Sequence, residues 1–128
     1  MSKISLSSGE WKLMKLMWTK SPRSIGEMVK ELADDTAWSR TTIFVMLKRL
    51  ITKGAVRMDD SGRLQQYYPM SDRDKASCDE TESFLSKVYD GSIGLMVSHM
   101  AEKNALTSEE INELRRILDE AERNVEGK

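Results

Sequence analysis

One cysteine, one histidine and two prolines in 128 residues exclude a good deal before any motif is read. A single thiol, Cys78, cannot close an intrachain disulfide, so the chain is no disulfide-stapled secreted scaffold and suits a reducing cytoplasm. One histidine and one cysteine are too few for a zinc site within a single chain, and neither a metal nor a cofactor is expected. No apolar run approaches the roughly 20 residues of a membrane span. The opening stretch through Leu6 lacks the apolar core of a secretion signal. Missing too are a P-loop, a G-x-S-x-G elbow and a Cys/His dyad with an orienting partner, so no catalytic residues are assigned and an enzyme is not expected.

What remains is ordinary in bulk and uneven in detail. Hydrophobic residues make up 39% and charged residues 32%, usual values for a globular protein. The net charge of −1 hides an asymmetry, because residues 1–70 carry 12 Lys and Arg against 7 Asp and Glu, whereas residues 71–128 carry 8 against 14. A basic half joined to an acidic one hints at a nucleic-acid-binding segment, although ordinary solvated surfaces would give the same numbers.

Helix starts are clearly marked. Ser7-Ser8-Gly9-Glu10 and Ser24-Ile25-Gly26-Glu27 read as capping boxes. The first opens a helix with Trp11, Met14 and Trp18 at helical spacing and Leu13 and Met17 beside them, ended before Pro22. The second opens a helix buried along Met28, Val29 and Leu32 and broken at Asp34-Asp35-Thr36. Ser39 is an N-cap candidate for a third helix running to Lys53, with Ile43, Met46, Leu47 and Leu50 as its buried stripe and Gly54 as its stop. Residues 55–59 and 63–68 then read as strands around the turn Asp60-Ser61-Gly62, closed by Pro69. Beyond Met70, a helix carrying Thr81, Phe84, Leu85 and Val88 leads to a stop near Gly91. A shorter helix follows with Ile93, Met96, Val97 and Met100. A last capping box at Thr107–Glu110 opens a helix whose Ile111, Leu114, Leu118, Ala121 and Val125 form a heptad-like seam.

Three helices followed by a hairpin is the order of a winged helix-turn-helix, whose later helix enters the major groove. With 43, 46, 47 and 50 turned inward, Thr41, Val45, Lys48 and Thr52 must face outward, flanked by Phe44 and Arg49. Threonine hydroxyls suit bases or phosphates, a valine methyl can touch a thymine methyl, and Lys48 and Arg49 can neutralise phosphates. Arg63 beside the hairpin turn stands where a wing meets backbone. Each residue also has a plainer reading: Ser39, Thr41 and Thr42 as caps, Lys48 and Arg49 as partners of the helix dipole, Phe44 and Val45 as core. The tryptophans fit a core better than a base-stacking platform.

The stretches 6–18, Trp38-Ser39-Arg40-Thr41-Thr42-Ile43 and Leu47–Ala55 resemble the penicillinase-repressor (BlaI/MecI-type) family. Tyr67-Tyr68-Pro69, 83–92 and 106–118 continue the likeness over nearly the whole chain. The resemblance implies a homodimer on a palindromic operator of the TACA/TGTA kind, silencing resistance genes. It places the DNA-reading surface on Arg40, Thr41, Thr42, Phe44, Val45 and Arg49. Phe44 and Val45 stand where the best-known members are polar. Family repressors cleaved on induction are cut between Asn and Phe, where this chain has His99-Met100. The Cys-x-Cys tail of the copper-sensing branch is absent.

The expectation is therefore a mainly α protein with a small β-hairpin. Residues 1–70 form a winged-helix DNA-binding domain and residues 71–128 a helical dimerisation domain using Phe84, Val88, Met96, Met100, Ile111, Leu114 and Leu118. Its partners are duplex DNA at Ser39, Arg40, Thr41, Thr42, Phe44, Val45, Lys48, Arg49 and Arg63, a second copy of itself, and an inducing protease acting near His99 and Met100, with no membrane. The alternatives are a winged-helix module for protein contacts and a regulator answering another signal.

Overall fold

The computed structural model describes residues 4–127. In order, the described elements are α1 (Ser8–Thr19), α2 (Ile25–Thr36), α3 (Arg40–Thr52), β1 (Val56–Asp59), β2 (Gln66–Pro69), α4 (Arg73–Tyr89), α5 (Ile93–Glu102) and α6 (Ser108–Glu126). The expected mainly α architecture with one hairpin is what forms. Capping boxes close at Ser7/Glu10, Ser24/Glu27 and Thr107/Glu110, each side-chain oxygen meeting a backbone N–H that a helix start otherwise leaves unbonded. Gly54, at φ 80° just past α3, supplies the left-handed stop.

The chain divides into two compact units, Met1–Ser83 and Phe84–Lys128, the boundary falling inside α4. In the first unit, Leu13, Met14, Met28, Ile43, Leu47 and Leu50 are wholly buried, and Trp11, Trp18 and Trp38 pack half-buried against them. On α1 the buried stripe is thus centred on Leu13, Met14 and Met17 rather than on the tryptophans, which take the shoulders. A tryptophan is too large to be enclosed by three short helices. Trp18 keeps its Nε1–H satisfied by donating to the Ser71 carbonyl at 2.7 Å.

The hairpin departs from expectation in its turn. β1 and β2 pair antiparallel from Val56↔Pro69 to Asp59↔Gln66. The second strand begins at Gln66, not at 63, so Arg63 and Leu64 belong to a longer tip. Asp59 Oδ1 accepts the Ser61 N–H at 2.9 Å, which turns the chain early and holds the Asp59 carboxyl below its ordinary range. A single bridge between Arg23 and Tyr67 adds a third, one-residue edge that no strand pattern announces.

Two features of the first unit lie outside the apolar pattern. The first half of α4 packs into this unit: Asp79 accepts the Ile4 N–H at 3.1 Å and Glu80 accepts the Leu6 N–H at 2.6 Å. Glu10 is buried to 1% exposure and bonds both the Ser7 N–H and Lys53 Nζ, the latter at 2.5 Å. Lys53 Nζ also donates to the Ser5 carbonyl at 2.8 Å, tying the end of α3 to the N-terminal segment.

Burial pushes the Glu10 carboxyl up. The hydrogen bonds from Lys53 and the Ser7 N–H, with the Lys53 charge, outweigh it and leave the pKa below 4.5. A carboxyl depressed in the folded state contributes stability that is present above its unfolded pKa and lost as pH falls through the folded value. Stability should accordingly decline as pH drops below about 4.5. Lys53→Ala should cost at least about 2 kcal/mol at neutral pH, less than the about 3–5 kcal/mol of a fully enclosed pair because Lys53 is open to water on one side. Urea melts at pH 7 and pH 4 check both, and an unchanged midpoint in the variant refutes this role for the pair.

Candidate nucleic-acid interface

Helix α3 splits cleanly into two faces. Ile43, Leu47 and Leu50 have no exposed surface and Met46 has 8%, so the helix is clamped against α1, α2 and β1. On the other side Arg40, Thr41, Thr42, Phe44, Val45, Lys48 and Arg49 are all exposed. The two apolar residues that also fitted the core are therefore outside it, at 39% for Phe44 and 42% for Val45. Ile43, Met46 and Leu47 already fill the space beneath α3, and a 100° step per residue carries 44 and 45 away from it.

The hydroxyls divide by task. Ser39 Oγ accepts the Thr42 N–H at 3.1 Å and lies 3.0 Å from Thr42 Oγ1, so these two side chains close the helix start. Thr52 Oγ1 donates back to the Lys48 carbonyl at 3.0 Å. Thr41 faces solvent. The cations divide as well. Lys48 Nζ lies 5.3 Å from the centre of the Phe44 ring, and Lys53 is held by Glu10 and Ser5. Arg49 is exposed in the last turn, where its charge also favours the helix C-terminus.

Away from α3, Arg40 and Arg63 line one shallow cleft with Ser24, Ile25 and Gly26 at the start of α2 and with Leu64 and Gln65 of the hairpin tip. The two arginines are thus brought together from distant sequence positions, beside the N–H groups of a helix start, where negative charge is favoured. Arg57 of β1 lies 4.0 Å over the Tyr68 ring, a cross-strand stack that sequence reading missed because it depends on register. That Ser24 and Gly26 line this cleft was missed too, although the capping box already marked that helix start.

In the second unit the seven residues expected to pair two copies remain open or half-open. Phe84, Val88, Met100, Ile111 and Leu118 are 49%, 50%, 40%, 38% and 65% exposed, while Met96 and Leu114 are half-buried. Neither α5 nor α6 has a buried residue. His99 is exposed on α5, its Nδ1 2.9 Å from the Tyr89 hydroxyl, and Met100 follows it. Cys78 is exposed on α4. Among the described residues no three His, Cys, Asp or Glu side chains gather as metal ligands, and no helix is long and apolar enough to cross a membrane.

The described geometry has close counterparts among known proteins. The penicillinase repressor of Bacillus licheniformis is 40% identical over 121 residues, covering 94% of each chain. The methicillin resistance regulatory protein MecI of Staphylococcus aureus (strain N315) is 32% identical over 114 residues, 89% of this chain and 93% of its own. Among solved structures, the DNA-binding domain of the repressor BlaI superposes with a TM-score of 0.51 at 39% identity, covering 59% of this chain and 93% of that one. Monomeric Bacillus licheniformis BlaI in complex with the blaP half-operator matches with the same TM-score of 0.51 at 36% identity, over 58% of this chain and 90% of that one. The Penicillinase repressor family profile matches residues 6–120, and on that span, with these relatives, the chain belongs to the penicillinase repressor family.

Proposed function

We propose that this protein is a cytoplasmic, sequence-specific DNA-binding transcriptional repressor that acts as a homodimer on palindromic operators controlling β-lactam resistance genes. Residues 1–70, with the first half of α4 packed on them, read DNA, and the remainder of residues 71–128 pairs the two copies. The observation that carries the reading is the two-faced α3. Its inner side is locked in the core, and its outer side offers Arg40, Thr41, Phe44, Val45, Lys48 and Arg49 to a groove. The relatives support it: one is a penicillinase repressor, another a methicillin resistance regulatory protein, and BlaI is solved on a half-operator.

The roles divide by chemistry. Arg49, Lys48, Arg40 and Arg63 neutralise phosphates, and Thr41, Phe44 and Val45 meet base edges. Ser39 and Thr42 act through the cap that sets the angle of the first turn. Arg49→Ala should weaken binding on every duplex alike and reduce the salt slope by about one unit. Thr41→Ala should instead alter base preference, by about 1–3 kcal/mol where the contact is good. Titration of operator and random duplexes across a salt series separates them. Equal losses on both duplexes for Thr41→Ala would remove that residue from the reading face.

Selection of bound duplexes from a random pool tests the function as a whole. A palindromic consensus bound with a steep salt slope is the expected result. Absence of enrichment, with no salt-dependent binding, would leave the fold serving protein contacts instead.

A further inference from the structure

Within its first two turns the outward face of α3 holds two adjacent apolar side chains that can neither donate nor accept a hydrogen bond, and Ile51, 39% exposed, follows in the last turn. Phe44 and Val45 are adjacent, 39% and 42% exposed, on a helix whose other large apolar side chains in the same two turns, Ile43, Met46 and Leu47, are buried. A scattered exposed apolar residue needs no explanation; this pair is distinguished by its surroundings. Val45 shares a shallow depression with Lys48, Arg49, Thr52 and Lys53. Lys48 carries its ammonium over the Phe44 ring at 5.3 Å. Arg40 stands one turn before the pair, exposed at the start of the helix.

An apolar centre framed by cations is complementary to a surface with apolar groups on its floor and negative charge along its rims. A DNA major groove has that form. Its floor presents hydrogen-bonding edges from every base pair but only one apolar group, the C5 methyl of thymine. Polar base edges are desolvated without compensation against a phenyl ring or a valine, so the pair discriminates against them as well as for the methyl.

We infer that Phe44 and Val45 make this chain a reader of C5 methyl groups, selecting thymine at the base pairs facing the second turn of α3. The inference rests on the assignment of α3 as the reading helix. Because 5-methylcytosine carries the same methyl at the same place in the groove, cytosine methylation at those positions should also be felt.

The experiment begins from the duplex that the full-length protein selects. Each thymine is replaced in turn by deoxyuridine, which removes the methyl and leaves every hydrogen-bonding group. The expected loss is about fourfold at each contacted position, the factor that burial of one methyl-sized group is worth, and none elsewhere. Replacing a contacted T·A pair by C·G should weaken binding, and 5-methylcytosine in that pair should recover the methyl's share. In Val45→Ala and Phe44→Ala, exposed positions whose loss leaves the buried stripe intact, the deoxyuridine penalty should vanish while the salt slope on random DNA stays as it was.

A flat deoxyuridine scan in a protein that still binds its selected duplex overturns the inference and leaves the DNA-binding function standing. A penalty that persists unchanged in both variants also overturns it, since another side chain would then meet the methyl. Failure to bind any duplex in a salt-dependent way overturns the function and this inference together.

Discussion

Leu114→Asp combined with Leu118→Asp is expected to convert the protein to a monomer and to weaken operator binding by about 100- to 10,000-fold, the range that loss of a linked second site commonly produces. The reasoning starts from what the second unit fails to bury. α5 and α6 have no buried residue, and Phe84, Val88, Ile93, Leu95, Ile117, Leu118 and Val125 are each between 47% and 74% exposed. A unit of this size cannot enclose three apolar stripes with its own side chains, whereas a second copy presenting the same stripes can cover them in an isologous interface. Charges at 114 and 118 then face each other across the two-fold axis, and each must be desolvated without a partner. Sedimentation should show a single chain mass, and a half-site duplex should bind as tightly as it does to the unaltered protein. A dimer that survives the double substitution places the seam inside one chain and refutes the interface.

Cutting the chain between His99 and Met100 is the second large effect, and it should lower operator affinity to the level of that monomer. The bond lies in α5, which runs from Ile93 to Glu102. Everything after it, including all of α6, would lose its covalent link to the reading unit. α5 begins at the Ser92 cap and is held near its C-terminal end by His99, which meets the Tyr89 hydroxyl, with Phe84 packed edge-on against Tyr89. This is a thin hold for a ten-residue helix, and helices so short are marginal unless packing sustains them. Local opening of α5 is therefore expected to precede attack on the bond.

An engineered protease site at this position makes the test independent of the natural signal. Cleavage should release the full operator while the thermal unfolding of residues 1–83 stays unchanged. If the cut protein holds its operator as before, pairing is not what sustains repression. Whether induction by proteolysis, which the family resemblance implies, occurs in this protein is read from its size in cells exposed to a cell-wall antibiotic. Derepression with the chain intact, and no fragment ending near His99, would rule proteolysis out.

The local elements were legible because their signals are local. Each capping box is two side chains three residues apart, and each forms as written at Ser7, Ser24 and Thr107. The α3 stripe at 43, 46, 47 and 50 follows from 3.6 residues per turn, and the four residues are buried as a set. Once those are inside, the exposure of Thr41, Val45 and Lys48 follows from geometry. Phe44 was ambiguous because a hydrophobic side chain at the edge of a stripe packs inward or stays out according to the room its neighbours leave. The sequence does not carry that volume.

Other features required the assembled chain. Glu10 reads as a capping residue, and it does cap α1, but Lys53 arrives from 43 residues away and pairs with its buried carboxylate. Arg40 and Arg63 are unrelated in sequence until the hairpin folds back beside α2. The tip is longer than expected: Asp59 accepts the Ser61 N–H, and pairing with the second strand resumes only at Gln66.

Sequence alone determined the order of helices and hairpin, the helix ends, the inward and outward faces of α3 and the kinship to the penicillinase repressor family. Each of these depends on periodicity, on caps a few residues long or on a likeness spread over the chain. Tertiary structure decided which cations stay free, where Phe44 lies, how far the hairpin tip extends, and that the first half of α4 belongs to the first unit through Asp79 and Glu80. These outcomes depend on groups distant in the chain competing for the same space and the same hydrogen-bond donors, and that competition exists only after the chain has folded.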